Sequence, residues 1–394
     1  MSKHLSKLVG DYWRQALVFV LIAGFVVMVL WYQLGTLVPG FSSPELAARA
    51  NANSFRKILE NPLFLPHKLM QYALISLGHS GAFWMRTVSA LWGLAVIVVF
   101  FDIIRNWYSR RVALLGGALF LCSAWFLHFA RLGTPEIMYA TTIGLLWVGV
   151  RLKSVNAPRI RTILASIVIL GCSLYVPGLA WLIIPMLVWQ RKVVLSELAS
   201  IPRGLAALTV VSVMIGLAPL VYSFVLNPIL IRDWLYIPSR FNIGLFWSNL
   251  WHIPVWIALR GPALPVYWLG RTPMFDVFSL VMAVLGLFVL NYYRLLDRVR
   301  AVIIIILLGF VLAIFNGWIA LAVAMPLMFV VITAGVALFL QQWFTVFPRN
   351  PLARIVGVSI VSFVVALACT YNLRSYFIAW PRTPATKAVF NKSP

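Results

Sequence analysis

The chain of 394 residues is 62% hydrophobic and only 10% charged, where a soluble domain carries about a quarter charged residues. That composition excludes an ordinary soluble protein. It also turns the excess of 32 Lys and Arg over 9 Asp and Glu, a net charge of +23, away from nucleic acid and toward membrane lipids and the positive-inside signal.

A basic head with Lys3, Lys7 and Arg14 precedes the first apolar run. The run lacks a small-x-small exit, so it reads as a retained signal anchor with its N-terminus in the cytoplasm. A bilayer needs roughly 17–25 apolar residues per helix. Eleven helices are predicted, near 16–34, 84–104, 111–129, 135–152, 160–174, 178–190, 204–226, 274–293, 301–315, 318–341 and 355–376. The short gaps on the cytoplasmic side collect Arg105, Arg110 and Arg111, then Arg151, Lys153, Arg159 and Arg161, then Arg191, Lys192 and Arg203, then Arg294, Arg298 and Arg300, and last Arg349 and Arg354. The short outer gaps hold Arg131 alone, which satisfies the positive-inside rule. Between 160 and 190 the stretch Tyr175-Val176-Pro177-Gly178 breaks the run into two short helices. A single helix there would invert every later gap, and broken helices at membrane depth are tolerated where they line a cavity. The expected architecture is one all-α polytopic membrane domain over 1–394, with outer segments at 35–83 and 227–273 and no separate soluble domain.

Acids are few enough to place one by one. Glu45, Glu60, Glu136, Asp233 and Asp276 fall outside, and Asp11, Asp102, Glu197 and Asp297 inside. Ser43-Pro44-Glu45, Thr134-Pro135-Glu136 and Thr272-Pro273 followed by Asp276 each combine a hydroxyl, a proline and an acid at a helix start. Two readings stand: carboxylates that complement helix dipoles, or carboxylates that converge on one outer cavity, since acids near a membrane are functional by default. Arg86 and Arg131 bring positive charge to the same face, either for a lipid phosphate or as snorkelling anchors. Segment 227–273 interleaves Arg232, Arg240, Arg260 and Arg271 with seven aromatic residues from Trp234 to Trp256, as a headgroup-level belt or a cradle for a lipid head does. The histidines lack metal-ligand spacing, Cys122, Cys172 and Cys369 are isolated, and no phosphate-cradling glycine loop or nucleophile elbow is present.

The order of these features resembles a known family. An acid follows the first helix, and an outer segment ends in Asn61-Pro62 and Leu65-Pro66. The run from Trp84 to Trp147, with its ARLGTPE stretch, comes next, and GCSLYVPGL (Gly171 to Leu179) follows. Together they resemble polyprenyl-phosphate-sugar-dependent glycosyltransferases of the GT-C fold, the superfamily of the protein O-mannosyltransferases and the aminoarabinose transferases of lipid A. Pro265 to Gly286 and Pro326 to Pro351 are similar with weaker motifs.

The resemblance implies an enzyme of the plasma (inner) membrane that moves a sugar from a polyprenyl-phosphate donor to a hydroxyl of a glycan, lipid or protein on the extracytoplasmic face, with inversion. Glu45 takes the position of the general base and Glu136 that of a second catalytic acid. Arg131, Arg86, Arg260, Arg271, Tyr175 and Asp276 map to the donor and substrate site. Some relatives use a divalent cation, which leaves one open beside Glu45 and Glu136. The chain departs from many relatives in carrying Pro44-Glu45 instead of an Asp-Glu pair, and it lacks an Arg before Pro326. A polyprenyl-lipid flippase or an inactive envelope scaffold is the alternative.

Overall fold

The computed structural model describes residues 2–152, 160–192, 195–196 and 202–390. Lys153, Arg159 and Glu197, assigned above to the cytoplasmic side, lie outside the described residues. The chain opens with α1 (Ser2–Trp31), followed by three short helices, α2 (Ser43–Asn51), α3 (Phe55–Glu60) and α4 (Leu65–Ser76). The central part comprises α5 (Ala82–Trp107), α6 (Arg110–Cys122), α7 (Ala124–Ala130), a 3-10 segment (Pro135–Thr141) and α8 (Thr142–Leu152). Then come α9 (Ile160–Leu174), α10 (Ala180–Trp189), α11 (Arg203–Leu226), α12 (Ile229–Trp234) and α13 (Ile243–Ala258). The last part holds α14 (Val277–Tyr292), α15 (Asp297–Asn316), a 3-10 segment (Trp318–Val323), α16 (Met325–Val346), α17 (Pro351–Arg374) and a short end helix, α18 (Pro384–Val389).

Each predicted helix has a counterpart, but the lengths differ. Among the described residues five helices are long and apolar enough to cross a bilayer, or six if α6 and α7 count as one bent span; by length and composition this is fewer than the eleven expected. The α6–α7 pair, read from sequence as one helix, bends by 63°. The cause is Ser123, whose backbone is extended and whose hydroxyl accepts from Phe126 N at 3.2 Å. The break at 175–178 is present, closed by Gly178 at φ +79°.

The core pair is α14 and α16. A Cβ on Gly286 would stand 1.9 Å from the Val331 carbonyl oxygen, and one on Gly335 2.0 Å from that of Met282, so the two backbones meet where only glycine fits. Around them pack buried Phe100, Phe120, Phe126 and Phe329, with Phe120 rings 4.7–5.0 Å from the other three. Outside, α13 leaves Leu245, Trp247 and Trp251 exposed, the last at 73%, as suits a helix lying at a lipid interface.

One end of the bundle carries α2–α4, the 131–141 segment, the 175–178 turn and the 235–276 loops, joined by hydrogen bonds from Phe64 N to Tyr175 O and from Gly178 N to Trp234 O, both 2.8 Å. We call it the site face. The links between α5 and α6, α14 and α15, and α16 and α17 lie at the other end, with Arg110, Arg111, Arg294, Arg298, Arg349 and Arg354.

Candidate active site at the face carrying α2 to α4

Glu45 is the hub of this face and it is fully engaged. Ser42 and Glu45 form a capping box at the start of α2. Glu45 Oε2 accepts from Ser42 N at 2.9 Å, Ser42 Oγ at 3.0 Å and Arg86 Nη2 at 3.3 Å. Its Oε1 accepts from Arg86 Nε at 2.8 Å and Gly133 N at 3.0 Å. Both side chains are essentially closed to solvent, at 0% for Glu45 and 1% for Arg86. Burial alone would raise the Glu45 carboxyl, but the Arg86 charge and the hydrogen bonds from Arg86, Ser42 and Gly133 hold it below the usual carboxylate range. A carboxylate with five donors and a lowered proton affinity is a poor base, so the geometry turns the expected base into a clamp joining positions 42, 86 and 133.

Of the two arginines expected at the donor phosphate, Arg86 is fully committed and Arg131 only in part, its buried Nε having no partner among the described residues. Beyond Glu45, Arg86 donates to Leu34 O, Val38 O and Gly40 O at 3.2, 3.3 and 2.8 Å, which occupies all five of its N–H groups. Arg131 is 2% exposed. It donates to Val29 O and Tyr32 O, each at 2.5 Å, and its guanidinium lies 4.5 Å over Phe377. It satisfies carbonyls at the C-terminal end of α1, where a cation complements the helix dipole. Tyr175 is a strut: its hydroxyl donates to Gly216 O and its carbonyl accepts from Phe64 N. Asp276 is the N-cap of α14, accepting from Ser279 N and Oγ and from Asn372 Nδ2 at 2.8–3.0 Å. For Asp276 the capping alternative describes what is seen.

Glu136 differs. It opens the 3-10 segment before α8 begins, outside the spanning helices. Its Oε1 accepts from the Tyr267 hydroxyl at 3.4 Å, while Oε2 is out of water and has no partner of hydrogen-bond geometry among the described residues. Burial pushes its carboxyl above the ordinary value, against the lowering pull of the Thr134 hydroxyl, its own backbone N–H and Tyr267, and the Glu45 charge adds slightly to the rise. Such a group is poised to accept a proton.

Structure adds residues that the sequence reading passed over. Helix α4 is inverted: His67, Lys68 and Gln71 are buried while Leu69 is 37% exposed. Gln71 Nε2 donates to Gly133 O at 3.0 Å and Ser89 Oγ to Thr134 O at 2.9 Å. Because the Ser89 proton is spent there, His67 Nε2, 2.9 Å from Ser89 Oγ, must be the donor. That fixes the tautomer and leaves His67 Nδ1 as a buried unpartnered acceptor, as Gln71 Oε1 also is. Burial, helped by Lys68, lowers His67 to about 3, and burial lowers Lys68 to about 8. The Lys68 ammonium donates to Asn61 O at 2.7 Å.

Two non-glycine residues in left-handed backbone, Phe64 at φ +60° and Tyr236 at φ +57°, both pack on Tyr139, at 5.5 and 5.9 Å between rings. Such strain persists only where surrounding structure enforces it. A signal for these residues exists in the sequence, the polar HK-x-x-Q spacing on an otherwise apolar helix, but the partners of His67 and Gln71 lie 22 and 62 residues away.

Arg260 and Arg271 are exposed and flank one neck, closed by Gly261 N donating to Thr272 O at 2.9 Å. The loop they bracket presents Tyr267 to Glu136. Among the described residues no three His, Cys, Asp or Glu side chains come together to hold a metal ion. With Glu45 saturated, Glu45 and Glu136 do not make a cation seat.

No protein-family model matches the chain, and no curated protein matches its sequence. Solved structures do. The crystal structure of ArnT from Cupriavidus metallidurans in the apo state aligns at 14% identity and a TM-score of 0.52, covering 95% of this chain and 77% of that one. The crystal structure of ArnT from Cupriavidus metallidurans bound to undecaprenyl phosphate aligns at 15% identity and a TM-score of 0.56, covering 94% of this chain and 76% of that one. The chain therefore has the GT-C fold that its sequence resembles.

Proposed function

We propose that this protein is a membrane glycosyltransferase that takes a sugar from a polyprenyl-phosphate donor and places it on an acceptor hydroxyl at the face carrying α2–α4. The observation that carries the reading is Glu136, a carboxylate with one unshared oxygen and raised basicity, held in a fold shared with an undecaprenyl-phosphate-bound structure. Glu136 is the general base: it removes the acceptor proton as the hydroxyl attacks the anomeric carbon, and the carbon–phosphate oxygen bond breaks toward the lipid phosphate. Arg260, Arg271 and Lys68 are the cations for the departing phosphate, being free or only singly bonded, where Arg86 has every N–H engaged and Arg131 is buried against the end of α1. Glu45 is a positioning residue. Through Gly133 N it fixes the strand of chain that ends, three residues on, in Glu136.

A single displacement inverts the anomeric centre, so the product of a defined donor has the opposite configuration, readable by NMR of the released glycoside. Retention would overturn the mechanism. Arg260→Ala with Arg271→Ala is expected to weaken undecaprenyl-phosphate binding by tenfold or more while leaving the fold intact. A saturated Glu45 and a proline at position 44 favour a scaffold as the second reading; it predicts lipid binding without turnover.

A further inference from the structure

At the end of the bundle opposite the candidate active site, α6, α16 and α17 leave a groove of about 400 Å³ lined by Arg111, Phe344, Arg354, Ile355, Val358 and Ser359. We propose that this groove seats the headgroup of an anionic glycerophospholipid, its phosphodiester between the Arg111 and Arg354 guanidiniums and its acyl chains along α17.

Two guanidiniums from different helices face one groove, and neither has a carboxylate within ion-pair distance among the described residues. By contrast Asp102, at the same end, is occupied by Arg151 at 2.9 Å and Trp147 Nε1 at 2.8 Å. Arg354 lies 5.5 Å over the Phe344 ring, which stiffens a long side chain over the groove. The guanidinium pair suits a phosphodiester, since planar N–H forks bind phosphate oxygens in pairs. Ser359 adds a hydroxyl within the same lining.

The walls decide between a lipid and a small soluble anion. Ile355 is 62% exposed, and Val356, Ile360, Phe363 and Leu367 continue an apolar exposed stripe along α17. A headgroup bound at the arginines lays its chains on that stripe, and basic pockets between spanning helices are a recurrent seat for acidic lipids. The inference stands independently of the sugar-transfer reading, because none of its residues belongs to the site face.

The test uses the full chain, delipidated in detergent and titrated separately with phosphatidylglycerol, phosphatidylcholine and inorganic phosphate, read by native mass spectrometry and thermal unfolding. Saturable binding of phosphatidylglycerol with a rise in melting temperature is expected, at least tenfold tighter than for phosphatidylcholine. The double variant Arg111→Ala, Arg354→Ala is expected to lose that preference, and Ser359→Phe, which fills the groove with both arginines intact, to do the same. Arg349→Ala, on the same link but outside the lining, is expected to keep it. Equal binding of the two lipids, an undiminished preference in either groove variant, or saturation by inorganic phosphate alone would overturn the proposal.

Discussion

At the residue scale the two glutamates divide the labour of the site face. Glu45 carries a buried ion pair whose loss leaves Arg86 charged, enclosed and facing only carbonyls. Breaking such a pair from one side costs about 3–5 kcal/mol, so Glu45→Ala should unfold well below wild type in a thermal melt, whereas Glu136→Gln, which removes no ion pair, should melt within a degree or two of it. His67 gives a pH signature. Its folded value of about 3 lies below the unfolded value near 6.5, so between these the unfolded chain binds the extra proton and stability falls as pH drops from 6.5 toward 3. Replacing His67 with Gln should flatten that dependence in unfolding measured across the same range, and an unchanged slope would contradict the buried neutral imidazole. Sequence pointed to Glu45, Glu136, Arg86 and Arg131 as residues of this face, but their roles depend on partners 41 to 131 residues distant, which no local pattern reveals.

At the element scale, hydropathy marked where helices lie and misjudged how they end. Ser123 is one hydroxyl in a continuous apolar run, and nothing beside it in sequence says that the run bends; the Asn372 side chain, 248 residues on, accepts from Ala124 N and helps hold the bend. The Pro177-Gly178 break was legible because Gly178 supplies a left-handed turn that other residues resist. The approach of α14 to α16 was not, since Gly286 and Gly335 are ordinary helix glycines until the partner backbone is seen. A methyl at Gly286 has no room beside the Val331 carbonyl oxygen. Gly286→Ala should therefore separate the pair and cost about 1–3 kcal/mol, visible as a lower melting temperature and lower yield of folded protein, while Gly204→Ala, where a Cβ meets nothing, should be neutral.

For the whole molecule, the GT-C fold gathers the buried Arg86–Glu45 pair, Glu136 and the loop that carries Tyr267 at one end. The buried arginines and Glu45 build the walls there, and Glu136, Tyr267 and the Arg260–Arg271 neck are the groups that the proposed transfer uses. Composition made the membrane class legible, and the ordered soft motifs made the fold legible. They left the base ambiguous because two glutamates with the same local Pro-Glu context fold into opposite environments, one saturated and one with an oxygen to spare. The measurement that tests this most directly is the release of polyprenyl phosphate from a panel of polyprenyl-phosphate sugars by the protein in nanodiscs, comparing wild type with Glu136→Gln and Glu45→Gln. The expected result is turnover by wild type, a fall of at least a hundredfold for Glu136→Gln in a normally folded protein, and a Glu45→Gln loss that follows its loss of stability. Full activity in Glu136→Gln, or no turnover by wild type on any donor that it binds, would contradict the account.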